Sequence, residues 1–336
     1  MRYKLLGKSG LRVSELCLGT MTFGDDWGWG AQKEESRKIF DAFVEAGGNF
    51  LDTANNYTNG TSEKFIGEFT RAERDHFVIA TKYTLNEFAT DPNFGGNHRK
   101  NLRRSVEGSL RRLNTDYIDL LWLHMWDGMT PVEEVMRALD DLMRTGNVLY
   151  VGISDTPAWV VSQANTLADL RGWSRFVAYQ GEYSLASRAP ERDLLPMAQA
   201  MGMMYLPWGI LEGGEITGKY NLPTDEPKRS QDTSERLKTI AAVLMDLATE
   251  TGHTPSQIAI NWVRQSPYPL VPIIGARSAK QMKDNLGCLD FELAPEQIDR
   301  LNDASPIDLG FPHSFLNSPH VRGLIFGQTF EQIAKE

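Results

Sequence analysis

Residues 77–82 read Phe-Val-Ile-Ala-Thr-Lys, and residues 118–124 read Ile-Asp-Leu-Leu-Trp-Leu-His. Each is a short, mostly apolar run that closes on one ionisable side chain. Neither alternates cleanly between apolar and polar residues. That is the pattern of a strand buried on both faces, as in a parallel sheet. Working outward, six more runs of this kind occupy residues 16–19, 49–54, 150–154, 176–180, 203–208 and 270–275.

Helical patterns fill the spaces between them. After Glu34, the residues Ile39, Phe40, Phe43 and Val44 fall on one helical face, and Gly47 suits a left-handed stop. After Ser234, Leu237, Ile240, Ala241, Leu244, Leu247 and Ala248 repeat the pattern. Thr130-Pro131 followed by Glu133 predicts a helix with Thr130 as its N-cap and Pro131 at its first position. Eight strands with a helix between most neighbours favour a closed (β/α)8 TIM barrel over an open doubly wound sheet, an α/β class. Residues 3–6 and 12–16, around Ser9-Gly10, predict an N-terminal β-hairpin over the barrel's N-terminal mouth. No linker or repeat divides residues 1–336, so a single domain is expected.

Composition narrows the function classes. The chain has 336 residues, 41% hydrophobic and 24% charged, as an ordinary globular protein has. A net charge of −9 argues against a nucleic-acid partner, and the basic cluster at 98–112 reads as a solvated helix face that includes Glu107. No window approaches ~20 apolar residues and the N-terminus has no signal-peptide core, so no membrane partner is expected. The two cysteines, Cys17 and Cys288, form no CxxC pair; no metal site is expected, and low cysteine usage fits a cytoplasmic location. Asn59-Gly60-Thr61 matches a glycosylation sequon, read as coincidence without a secretory signal. Oligomeric state is not legible.

The ends of the strands carry the chemistry. One run reaches Asp52, with Tyr57 five residues later; the next ends on Lys82 and the next on His124. In a barrel all of these face the C-terminal mouth, where active sites are built. Singly, each has an ordinary explanation: a capping Asp, a loop Tyr, a first solvated Lys, a core His. Together they form a chemical set. Hydride reduction of a carbonyl leaves an alkoxide that needs a proton. A tyrosine can supply it, but a phenol of pKa about 10 is a weak acid near neutrality. An adjacent ammonium lowers that value, a carboxylate balances the ammonium, and an imidazole orients the carbonyl. Other readings are a cofactor-sensing binding module, or a metal hydrolase using His124, Asp52 and Asp127. The connections at 23–32 and 83–97 are the candidate substrate loops, and the tail after Ser305 is a third long segment. Trp27, Trp29, Tyr83, Phe88 and Trp126 would line an aromatic pocket beside Tyr57 and His124, with Asp25, Asp26, Asn55 and Asn56 adding polar contacts.

Across nearly its whole length the chain resembles the aldo-keto reductase family. The resemblance rests on Gly19-Thr20-Met21, Phe50-Leu51-Asp52-Thr53-Ala54 with Tyr57, Ala80-Thr81-Lys82 and Leu120-Leu121-Trp122-Leu123-His124. It continues through Val151-Gly152-Ile153-Ser154, Thr217-Gly218-Lys219-Tyr220 and Ile274-Gly275-Ala276-Arg277. It implies a carbonyl-reducing, reversible oxidoreductase in which Asp52, Tyr57, Lys82 and His124 form a catalytic tetrad with Tyr57 as proton donor. It implies NADPH, less often NADH, held without a Gly-x-Gly-x-x-Gly loop, and no such motif follows a strand here. By resemblance, Gly19, Thr20, Met21 and Asp52 lie at the cofactor. Ser154 and Gln180 hold the nicotinamide carboxamide, and Trp208 stacks on its ring. Asp155 stands where the family usually has Asn. Gly209-Ile210-Leu211 replaces Ser-Pro-Leu, leaving backbone N–H groups from Gly209 to Gly213 for phosphate, and Lys219 is a further cofactor-binding position. Gly275, Arg277, Gln281 and Asn285 match the adenosine segment, with Arg277 placed for a 2′-phosphate.

Overall fold

A computed structural model describes residues 1–218 and 234–333. Strands β1 (Tyr3–Leu5) and β2 (Arg12–Ser14) pair antiparallel as the expected hairpin. It plugs the N-terminal mouth: Leu6 and Val13 are fully buried among lumen side chains, and Lys4 Nζ donates to Leu270 O at 2.9 Å.

Eight parallel strands follow: β3 (Cys17–Gly19), β4 (Phe50–Asp52), β5 (Val78–Tyr83), β6 (Ile118–Leu123), β7 (Val148–Ser154), β8 (Phe176–Glu182), β9 (Met204–Trp208) and β10 (Ile273–Ile274). They pair in chain order, and β10 pairs with β3. The ring closes just ahead of β10, where Tyr205 N donates to Pro269 O at 2.9 Å and Val271 N donates to Tyr205 O at 3.0 Å. The run at 270–275 was expected to be one strand. Its regular ladder shrinks to two residues because Pro272 has no N–H to give.

The helices, in order, are α1 (Lys33–Glu45), α2 (Thr61–Thr70), α3 (Arg99–Leu113), α4 (Val132–Arg144), α5 (Ala158–Arg171), α6 (Leu194–Met201), α7 (Glu235–Thr251) and α8 (Pro255–Arg264). After β10 come α9 (Ala279–Leu286), α10 (Pro295–Ala304), α11 (His313–Leu316) and α12 (Pro319–Phe326). Ser234 caps α7 by accepting from Leu237 N at 3.3 Å. Thr130 does not cap α4. Its hydroxyl and its N–H both go to the Asp127 carboxylate, and Pro131 takes the cap position instead. The segment after α10 is tied to the chain beyond β8, where Arg188 donates to Ser305 O at 3.1 Å and Arg192 to Asp308 O at 2.7 Å.

Side chains alternate along each strand between lumen and helix layer. Phe50, Val78, Ala80, Leu120, Trp122, Ala178, Met204 and Leu206 fill the lumen. Leu51, Ile79, Leu121, Leu123, Val151, Ile153, Tyr179 and Tyr205 face the helices. Carrying the lumen parity to the strand ends reaches Gly19, Asp52, Lys82, His124, Ser154, Gln180 and Trp208. The pleat therefore collects the polar groups at one mouth.

One layer below that mouth, Trp122 lies between Lys82 and Gly152 in the strand register. A Cβ at Gly152 would sit 2.3 Å from the Trp122 ring, so only glycine leaves room for the indole. Gly152→Ala is expected to cost roughly 1–3 kcal/mol through overpacking, read as a lower urea midpoint, with part recovered in a Trp122→Phe background. An unchanged midpoint would refute this packing account.

Candidate active site

The site is built around Lys82, which is completely buried. Its ammonium donates to the Asp52 carboxylate, to Thr53 O at 2.9 Å and to Tyr57 Oη at 3.1 Å. Three acceptors match its three protons. Asp52 is held in turn: Gln180 Nε2 donates to its Oδ1 at 2.9 Å, and Thr20 donates to its backbone carbonyl through both N–H and hydroxyl. Burial pushes the Lys82 pKa down, but the carboxylate and phenol beside it more than reverse this, so the amine stays charged.

Tyr57 is brought to Lys82 by a tight turn after β4. Thr58 and Asn59 adopt left-handed backbone (φ 44° and 54°), a conformation costing of order 1–3 kcal/mol each, and the Thr58 hydroxyl anchors the turn on Phe23 O at 2.6 Å. The ring is partly open to the mouth while its hydroxyl end points inward. Sequence reasoning expected Lys82 to lower the phenol's pKa. It does pull in that direction, but burial outweighs it and the net shift is upward, so Tyr57 holds its proton firmly.

His124 continues β6 through its N–H to Tyr83 O at 3.2 Å, and its ring meets Tyr57 edge to face with centroids 6.1 Å apart. Burial, helped by the Lys82 charge, holds its pKa well below the usual histidine range, and the imidazole is neutral. Its Nδ1 is buried without a hydrogen-bond partner.

The other expected positions divide into groups. Ser154 and Gln180 join the cluster from β7 and β8; Ser154 Oγ is buried and makes no well-formed hydrogen bond. Trp208 ends β9 with an exposed ring, and its Nε1 donates to Asp155 Oδ1 at 3.3 Å. Asp155 itself has left-handed backbone, φ 41°. The chain then turns through Gly209 (φ 76°) and Gly213 (φ 63°), while Leu211 packs half-buried against the core and can contribute only backbone. At the first strand, Gly19 lies tight against Ile273, the Thr20 hydroxyl is spent on Asp52 and Ser62, and Met21 is exposed. Farther round, Gln281 Oε1 accepts from Arg277 N at 2.9 Å and Asn285 donates to Gly275 O at 3.2 Å, so these two side chains shape the 275–277 loop. Lys219 lies outside the described residues.

Of the expected substrate residues, Trp27 stands edge-on to Tyr57 at 6.5 Å, with Trp29 tilted against it at 5.7 Å. Trp126, two residues after His124, is half-buried and packs against the core. Phe88 is exposed and rests on Phe94, away from any contact with Tyr57. Tyr83 is a correction. It is the last residue of β5, not a loop residue, and its parity is opposite to that of Lys82. Its ring is buried in the helix layer and its hydroxyl reaches Asn97 O at 3.4 Å. Asp127, the third group of the metal-hydrolase alternative, is engaged by the N–H groups of Asn97, Met129 and Thr130. Among the described residues no three His, Cys, Asp or Glu side chains gather as a metal site, and no helix is long and apolar enough to cross a membrane. Sequence reasoning missed the Thr53 carbonyl as the third Lys82 acceptor and Trp122 as the floor of the site, whose buried indole N–H has no partner. The lumen parity was the available signal for Trp122.

A parallel barrel with a buried ammonium, carboxylate, phenol and neutral imidazole at its C-terminal mouth has the layout of a barrel enzyme. The family follows from comparison: the model of the aldo/keto reductase family matches residues 15–306, and this chain belongs to that family of oxidoreductases. It is similar to a norsolorinic acid reductase of Emericella nidulans, 43% identical over 319 residues, which cover 92% of this chain and 82% of the relative. A norsolorinic acid reductase of Aspergillus flavus is 42% identical, covering 93% and 83%. An NADP(+) aryl-alcohol dehydrogenase of Phanerodontia chrysosporium is 40% identical, covering 90% and 86%.

The buried ion pair makes a direct prediction. Asp52→Ala strands the Lys82 charge in the lumen and is expected to cost about 3–5 kcal/mol in urea unfolding, whereas Asp52→Leu with Lys82→Met together should recover most of it. A stable Asp52→Ala single variant would show that Asp52 does not compensate Lys82.

Proposed function

We propose that this protein is an NADP-dependent reductase of aryl aldehydes or ketones that also runs in the alcohol-oxidising direction. The observation that carries this reading is the 3.1 Å contact between the buried Lys82 ammonium and the Tyr57 hydroxyl, at a mouth where Trp27 stands against Tyr57 and Trp29 against Trp27. The aryl character is supported by those indoles and by relatives named for norsolorinic acid and aryl alcohols.

A nicotinamide cofactor supplies the hydride. The residues present fit one: Ser154 has a buried hydroxyl without a well-formed hydrogen bond, Trp208 offers an exposed ring, and Gly209 has no heavy atom closer than 3.8 Å to where a Cβ would stand. Arg277 makes no ion pair among the described residues and would hold a 2′-phosphate, which favours NADPH over NADH. Neutral His124 offers a hydrogen bond to the carbonyl oxygen. Tyr57, kept protonated by burial, gives its proton to the alkoxide, a far stronger base than phenolate. Lys82 then stabilises the phenolate until solvent returns a proton, and Asp52 keeps Lys82 in place and charged. Both cysteines are buried and unpaired, in keeping with a cytoplasmic setting, and we take residues 1–336 to act as one domain.

A panel of aryl aldehydes and alcohols assayed with both cofactors tests the reading. Tyr57→Phe is expected to lower kcat by about 10²–10⁴-fold with cofactor Kd nearly unchanged; near-normal turnover would sink the mechanism. The kcat/KM for NADPH should exceed that for NADH, and Arg277→Ala should remove the difference. A native NADH preference would refute the role given to Arg277.

A further inference from the structure

Glu87 lies in the connection from β5 to α3, one residue before exposed Phe88. Its half-buried carboxylate sits where that connection, α3 and the Tyr57 loop meet. Arg104 and Arg112, both on α3, pair with it, Arg112 at 3.5 Å. Its Oε1 also accepts from Asn55 Nδ2 at 3.2 Å. Asn55 is two residues before Tyr57, and its backbone N–H donates to Lys82 O at 3.3 Å.

Asn55 is almost fully buried and its Oδ1 has no hydrogen-bond partner. The bond to Glu87 is therefore what sets the amide's orientation. A flipped amide would point its oxygen at a carboxylate, and an ionised carboxylate only accepts. The arginines extend the connection in two directions. Arg112 Nε reaches Glu63 Oε2 at 2.5 Å, and fully buried Glu63 accepts from the hydroxyl of Thr81, the neighbour of Lys82, at 2.6 Å. The Arg104 guanidinium lies 4.2 Å from the Phe94 ring centroid and donates to Phe94 O at 3.2 Å; Phe94 in turn carries Phe88 edge-on at 4.5 Å. Glu87 N also donates to Phe94 O at 3.3 Å. One end of this network is the exposed aromatic of a candidate substrate loop. The other is the turn that presents the proton donor.

We propose that Glu87 is a positioning residue that couples the seating of the 84–97 loop to the placement of the Tyr57 hydroxyl, with Asn55 as the link. The proposal rests on the carbonyl-reductase reading. It differs from simple charge neutralisation of Arg104 and Arg112, because a neutral acceptor at position 87 would still hold the Asn55 amide.

The test uses the full chain, with kcat measured on an aryl aldehyde and NADPH, cofactor Kd by NADPH fluorescence, and the Tyr57 13Cζ shift at neutral pH, assigned against Tyr57→Phe. Glu87→Ala and Asn55→Ala are each expected to lower kcat about tenfold or more with Kd unchanged, since small misplacements of reacting groups cost this much. The double variant should be no worse than either single, the signature of residues acting through one another. Glu87→Gln should retain most activity. The 13Cζ shift should move in Glu87→Ala, as the Lys82 contact loosens, and stay in Glu87→Gln. Multiplying effects in the double variant, equal loss in Glu87→Gln and Glu87→Ala, or normal kcat in Glu87→Ala would overturn the proposal. Should the wild type reduce no carbonyl, the reductase reading falls, and the 13Cζ shift alone decides the positioning role, an unmoved signal counting against it.

Discussion

A fully buried ammonium is the constraint from which the rest of this structure follows. Removing the Lys82 charge from solvent costs several kcal/mol unless its donors are satisfied and its charge is balanced. The lumen meets that demand with one carboxylate, one backbone carbonyl and one phenol, all from β4 and the turn after it. Asp52 is then fixed by Thr20 from the first strand region and by Gln180 from β8, so opposite sides of the barrel converge on one ion pair. The cost is offset only while the barrel is closed and the turn through Thr58 and Asn59 is held. This ties stability and chemistry to the same few atoms.

That environment gives the phenol its character. A charged neighbour alone would make Tyr57 more acidic, yet burial prevails and the hydroxyl keeps its proton. Burial acts on His124 as well and leaves it neutral. The mouth thus presents two uncharged hydrogen-bonding groups above a cation, an arrangement suited to an oxygen that gains negative charge. The indoles of Trp27 and Trp29 extend the apolar wall from Tyr57 outward.

Much of this could be read from the sequence, for definable reasons. Strands buried on both faces leave continuous apolar runs, so all eight were legible, as was the hairpin. A continuous apolar run hides side-chain direction, and Tyr83 shows the consequence: adjacent residues on a strand face opposite layers, and only Lys82 has the lumen parity. Contacts between distant segments leave no local trace. The bond from Gln180 to Asp52 spans 128 positions, and the clamp of Glu87 on Asn55 spans 32. Thr130 shows the converse. Its local pattern is a good cap, but its hydroxyl and N–H are both turned to the Asp127 carboxylate three residues away. The family resemblance suggests cofactor positions that periodicity does not, and at two that depart from it, Asp155 and Gly209, the backbone is left-handed and Asp155 accepts from Trp208.

The central claim is that the Tyr57 phenol delivers the proton. Replacing Tyr57 with a fluorotyrosine, whose phenol is more acidic, and measuring the pH dependence of kcat/KM for reduction tests it most directly. Reduction needs the protonated phenol, so the rate falls as pH rises through its pKa. The account predicts that this fall moves to lower pH in the fluorinated protein. A profile that stays in place would contradict it.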